Sequence, residues 1–145
     1  MRELDTCLDI IKEIKEKDET IQELRYRTMS PKSQVITDMP KGGGAHVNAL
    51  DNYMVKLERT IKAKERLQEK LDYEWAIAKF SLTHYGITKS DTIELLRLRF
   101  YRGLPWKKCS MEMQKTYPDS GWNINKCFRV YRAVLHKTNS TNSSK

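Results

Sequence analysis

Asn123-Ile-Asn-Lys-Cys-Phe-Arg-Val-Tyr-Arg-Ala-Val-Leu-His-Lys137 is the stretch on which the reading of this chain turns. Cys127, Val130, Val134 and Leu135 stand at i, i+3, i+7 and i+8, the spacing that lines one face of an α-helix. Asn123 opens that helix as an N-cap, a residue type whose side chain accepts from the free amides of the first turn. The remaining positions present Asn125, Lys126, Phe128, Arg129 and Arg132, and no acidic residue occurs from Asn123 to Lys145. A solvated helical face usually mixes charges of both signs. A face of one sign points to a polyanion. Arginine can bond two edge atoms of guanine and asparagine two of adenine, so this helix carries the side chains that read a duplex in its major groove.

Working outward, Tyr117-Pro-Asp-Ser-Gly121 has the composition of a turn. Ahead of it Trp106, Cys109 and Met113 recur at helical spacing behind Pro105, a residue tolerated where a helix begins. An earlier helix is predicted to start at Asp91, with Glu94 in a capping arrangement, Leu95, Leu96, Leu98, Phe100 and Tyr101 as a broad apolar face, and Gly103 as its stop. Three short helices with a glycine turn between the first two match the helix-turn-helix plan, in which the last helix lies in the major groove. Lys107 and Lys108 open the middle helix, whose free amides and positive dipole end would face a phosphate. The predicted DNA-binding domain spans 84–137, bounded by Thr83-His84-Tyr85-Gly86 and followed by a polar, disordered tail over 138–145.

The first 83 residues have a different pattern. Over 3–28, Leu4, Ile11, Asp18 and Arg25 fall on one heptad seam position and Cys7, Ile14, Ile21 and Thr28 on the other, with Leu8 and Leu24 widening the stripe. The polar pair Asp18 and Arg25 either sets register or marks a solvated helix end. Ser30-Pro31 must stop this helix, and about fifteen residues without periodicity come next, from Ser30 to Gly44. Lys41-Gly42-Gly43-Gly44 lacks the rest of a phosphate loop, so a connector carrying a short contact motif is the expectation. A long helix resumes over 47–83 on Leu50, Tyr53, Met54, Leu57, Ile61, Leu67, Leu71, Trp75, Ala78 and Leu82. Tyr73, Trp75 and Phe80 read as core rather than as a platform for stacking bases. Such narrow stripes need a partner, so 1–83 is predicted to be an antiparallel, coiled-coil-like helical hairpin with a loop over 30–46, serving oligomerisation or partner binding. The fold class expected for the whole chain is all-α.

Composition agrees with this division. Residues 84–145 hold 12 basic and 4 acidic side chains, while 1–83 sum to neutrality within a total charge of +8. No apolar run reaches the roughly 18 residues that would span a bilayer, and the densely charged first twenty residues are unlike a signal peptide. Cys7, Cys109 and Cys127 are odd in number and far apart, and His46, His84 and His136 have no ligands at metal spacing, so neither disulfides nor zinc are expected. No paired carboxylates or nucleophile–histidine arrangement suggests an enzyme, and no cofactor is implied.

Leu95-Leu-Arg-Leu-Arg-Phe-Tyr-Arg-Gly-Leu-Pro-Trp106 resembles the segment with which phage late-gene transcription regulators of the RinA/ArpU-like type enter their helix-turn-helix. That unit is itself similar to the promoter-reading fourth region of sigma factors. Ser30-Pro31-Lys32-Ser33-Gln34 and Met39-Pro40-Lys41-Gly42-Gly43 resemble the same family, after the same charged N-terminal helix. The resemblance implies a phage or prophage regulator, an activator that binds double-stranded DNA near a late promoter in the cytoplasm of the bacterial host and acts on host RNA polymerase. It places the reading helix at 123–137, with Asn125, Lys126, Phe128, Arg129 and Arg132 outward, and matches Trp106 to the tryptophan that opens the second helix. Two departures stand out. Lys107-Lys108 replaces the usual acidic residues, and the approach to Asn123 is roughly seven residues longer, with Gln114 in place of a turn glycine.

The expectation is therefore a sequence-specific DNA-binding regulator, self-associating through its N-terminal helices. The alternative is a phage assembly or DNA-packaging protein whose coiled coil is the active part and whose basic end holds nucleic acid without reading it.

Overall fold

The computed structural model describes residues 1–29 and 43–143, and among these every regular element is helical. α1 covers Arg2–Met29, α2 Gly43–His84, α3 Ser90–Leu96, α4 Trp106–Thr116 and α5 Ile124–Ser143. α3 runs straight into a π-helical turn at Arg97–Tyr101, and a 3-10 turn at Pro118–Ser120 leads into α5. The all-helical class is the one expected. α1 ends beside Ser30-Pro31, and α2 begins at Gly43 rather than 47. The Ser-Pro-Lys-Ser-Gln motif and all but Gly43 of the Met-Pro-Lys-Gly-Gly motif lie outside the described residues.

The chain divides into two compact units, Lys12–Glu69 and Met1–Ile11 together with Lys70–Lys145. In the first, Ile21 and Leu24 are buried on α1. Asp18, one of the two polar seam residues, pairs with Lys64 Nζ at 2.5 Å, and the Arg27 guanidinium lies 5.9 Å from the Tyr53 ring centre. Asp18 is therefore engaged by the other helix, whereas Arg25 is exposed. Leu50, Met54 and Val55 are exposed too, which leaves this stretch of α2 with a thin apolar stripe.

The second unit takes in more than the three C-terminal helices. Leu4, Cys7 and Ile10 of α1 and Leu71, Trp75, Ala78 and Leu82 of α2 are buried within it. The Tyr101 hydroxyl donates to Asp72 Oδ1 at 2.5 Å, and the Tyr101 and Trp75 rings lie 6.0 Å apart. A boundary at residue 84 falls inside this unit. The physical reason is surface-to-volume scaling, since a segment of some fifty residues buries too little apolar area to stand easily by itself. The first turns of α1 and the last turns of α2 supply more wall. Core packing and a coiled-coil seam share nearly the same helical period, so the pattern of Leu4 and Cys7 is compatible with both.

Three local expectations are corrected. Lys89 caps α3 without a side-chain hydrogen bond, and Glu94 binds Arg97 at 2.7 and 3.0 Å instead of closing a capping box. The nearby cation wins the carboxylate by a charge-assisted, two-point contact. α5 continues past Lys137 to Ser143, and Thr138 is buried with its hydroxyl donating to the Leu135 carbonyl oxygen at 3.0 Å, in place of a disordered tail from 138. Tyr73 and Phe80 are 66% and 77% exposed, so of the three aromatics only Trp75 is core.

Gly103 ends the π-helical turn as expected, with φ +70°. Arg102 N donates to the Arg97 carbonyl oxygen and Leu104 N to that of Leu98, both at 3.0 Å, so the chain reverses within two residues. A Cβ at Gly103 would stand 2.7 Å from Ile11 Cγ2, whereas one at Gly121, φ +67°, would meet nothing within 4 Å. Gly121→Ala carries only the left-handed strain and should cost about 1 kcal/mol. Gly103→Ala adds a steric conflict and should cost on the order of 3 kcal/mol. Urea denaturation of the two variants, side by side, measures the difference.

Candidate functional site

One aromatic group joins the start of α4 to the π-helical turn and to α5. Trp106 opens α4 directly behind Pro105. Its ring lies 5.6 Å from Phe128 and 5.1 Å from Tyr131 on α5, and 6.5 Å from Phe100 of the π-helical turn. Arg99 is stacked 5.2 Å over Trp106, and its Nη1 donates to the Leu104 carbonyl oxygen at 3.1 Å. Arg99 Nε is buried without a hydrogen-bond partner, so the ring face carries part of the compensation for that cation. The amino end of α4 and the middle of α5 are neighbours as a result. Beneath them Leu95, Leu98, Cys109, Met113, Trp122 and Cys127 form one buried cluster.

The long approach to α5 is an ordered structure. Gln114, which stands where the resemblance leads one to expect a glycine, donates through Nε2 to the Trp122 carbonyl oxygen at 2.6 Å. Lys126 Nζ donates to the Ser120 carbonyl oxygen at 2.6 Å and lies 4.5 Å over the Trp122 ring. Gly121 takes the left-handed conformation that turns the chain. Trp122 is buried beside Cys127, one residue before the cap and four after it, which is the arrangement of a hydrophobic staple. Asn123 caps α5 as expected, its Oδ1 accepting from Lys126 N at 2.8 Å.

The site residues proposed from sequence separate into four groups. Asn125, Arg129 and Arg132 are exposed. Spaced by four and three residues, they follow one line along α5. His136, also exposed, extends that line by another turn and was not singled out from the sequence, although its spacing marks it. The line is about 16 Å long at 1.5 Å per residue. Phe128 and Lys126 flank it and are half-buried, one against Trp106 and the other against Trp122. Asn123 is engaged as the cap. Lys107 and Lys108 are exposed in the first turn of α4.

Charge follows the same division. Arg97 pairs with Glu94, which raises the affinity of its guanidinium for the proton chiefly through their hydrogen bond, and Lys115 approaches Glu112 at 3.7 Å. Among the described residues no ion pair takes up Lys107, Lys108, Arg129 or Arg132. Arg102, also missed in the sequence, borders a hollow of about 360 Å³ together with Lys108, Met111 and Glu112. This surface can attract and orient an anion. Among the described residues no three His, Cys, Asp or Glu side chains gather closely enough to hold a metal ion, and no helix is long and apolar enough to cross a membrane.

The three thiols belong to the core. Burial pushes Cys7 up to about 11, with Glu74 adding to the shift. Burial does the same at Cys109, also to about 11, with Cys127 adding to it, and raises Cys127 as well. Each is protonated at neutral pH and so a poor nucleophile. No protein-family model, curated protein or solved structure matches the chain.

Two measurements probe this framework. Asn123→Ala removes the acceptor for Lys126 N and should lower stability by about 1 kcal/mol in a thermal or urea melt. A chromogenic disulfide reagent at neutral pH should react with the native protein far more slowly than with the same protein in denaturant. Reaction of the native thiols at the denatured rate would mean that the burial is wrong.

Proposed function

We propose that this chain is a sequence-specific double-stranded DNA-binding transcription regulator, an activator of phage or prophage late genes in the bacterial cytoplasm. It acts by binding alone, with no cofactor and no catalysis, and host RNA polymerase is its protein partner. The phage setting rests on the resemblance carried by 95–106, 30–34 and 39–43. The DNA-binding part rests on one structural observation above others: Asn125, Arg129 and Arg132 form an exposed line on α5, and neither arginine has an ion pair among the described residues.

In this proposal α3 with its π-helical turn, α4 and α5 make up the helix-turn-helix, and α5 enters the major groove. Asn125, Arg129 and Arg132 read base edges. Lys107 and Lys108, with Arg102, hold phosphates. Asn123, Lys126 and Phe128 keep the reading helix in place rather than reading, since their polar atoms or rings are engaged by the protein. The N-terminal helical hairpin is supported by Asp18–Lys64 and Arg27–Tyr53, in which residue numbers rise on α1 as they fall on α2, as in an antiparallel pair.

The direct test is selection of bound sequences from random duplex DNA with the full chain, followed by binding titrations against the winner and scrambled DNA. A reader should favour its site by about a thousandfold or more. Binding without preference would support the assembly or packaging alternative, and no binding at low salt would reject both. Arg129→Ala should cost roughly 1–3 kcal/mol at the selected site and relax the choice of one base. Lys107→Ala with Lys108→Ala should weaken binding to every sequence alike and reduce the salt slope by about one unit per lost phosphate contact.

A further inference from the structure

α2 carries a second face that the core does not use. Between Lys70 and His84 its buried side is Leu71, Trp75, Ala78 and Leu82. At 100° per residue the opposite side is centred on Tyr73 and Phe80, two turns apart, with Ala76 between them. All three are exposed, and the two rings are among the most exposed large apolar side chains of the described chain. Aromatic rings placed at a seven-residue interval on the outside of a helix are the material of a contact surface.

The charges beside this stripe select its partner. Asp72 and Lys79 stand on one flank, also seven residues apart and of opposite sign, and both are exposed. Asp72 is held in place by the Tyr101 hydroxyl on Oδ1. When two copies of a helix pair antiparallel about a twofold axis, the same flank of each meets the other, reversed in direction. With the axis midway between Tyr73 and Phe80, each Tyr73 packs on the partner's Phe80. The same operation brings each Asp72 onto the same flank as the partner's Lys79, two residues or roughly 3 Å apart along the axis. One helix face thus complements itself in shape and in charge.

We infer that this face is the surface on which two copies of the chain pair, antiparallel along the 70–84 stretch of α2. This gives a location to the self-association expected from the sequence, and it does not depend on DNA binding. Four rings, each burying at most roughly 150–250 Å², fall short of the roughly 1,200 Å² of a lasting complex. The dimer therefore forms and separates with concentration.

Sedimentation velocity on the full chain without DNA, from about 1 to about 100 µM, should show a monomer–dimer equilibrium. Tyr73→Ser with Phe80→Ser should weaken it about tenfold or more, with an unchanged circular dichroism spectrum. Lys79→Asp should weaken it by placing like charges together. Adding Asp72→Lys to Lys79→Asp should restore it, because the swapped pair attracts again and a lysine can still donate to the Tyr101 oxygen. A monomer throughout the range, a dimer indifferent to the ring substitutions, or a swap that fails to restore pairing would each overturn the inference. DNA binding that fails while this equilibrium stands would count against the proposed function alone.

Discussion

The position of α5 depends on the indole of Trp106. One ring meets Phe128 and Tyr131 of α5, Phe100 of the π-helical turn and the guanidinium of Arg99. Those contacts come from two elements besides α4 itself, so moving the ring would disturb both together. Pro105 sets the ring's place, since its extended backbone at ψ 154° delivers the chain to the first turn of α4. The π-helical turn contributes in a related way. Its extra residue rotates the succeeding side chains by about 100°, and both Leu98 and Phe100 end up buried while Arg99 between them lies over the indole.

The features legible in the sequence were those with a local cause. The Asn123 cap, the stop at Gly103, the inward set of Cys109, Met113, Cys127 and Val134, and the break near Gly86 each arise from a residue acting on its own few neighbours. Choices between partners escaped. Glu94 could close a capping box or bind Arg97, and only the position of the guanidinium decides between them. Leu4 and Cys7 fit a coiled-coil seam as well as a domain wall, because the two periods differ by about a tenth of a residue. Trp122 could have been found, since an apolar residue just before a cap and another four positions beyond it form a known local pattern. Tyr73 and Phe80 could have been found too, since at 100° per residue they stand opposite the stripe of Leu71, Trp75, Ala78 and Leu82.

The candidate site shows the same distinction between residue type and residue availability. Counting basic residues over 84–145 treats twelve cations as equivalent. In the fold they are not. Arg97 is paired, Arg99 is stacked and Lys126 is anchored to a carbonyl oxygen. Each of these holds the framework in shape, and an anion would have to compete with an interaction already made. Arg129 and Arg132 stand exposed, with no such prior ion pair among the described residues.

This difference bears on why the approach to α5 is long. A short turn would bring α4 and α5 together with little between them. Here the extra residues form a 3-10 turn, a left-handed glycine and a buried tryptophan, fastened by Gln114 from one side and Lys126 from the other. Fastening the start of α5 at two points fixes its direction as well as its place. A helix that reads base edges gains from that, because a bidentate contact is lost with small errors in angle. The segment that departs in length from the family it resembles is built as a support for the start of α5.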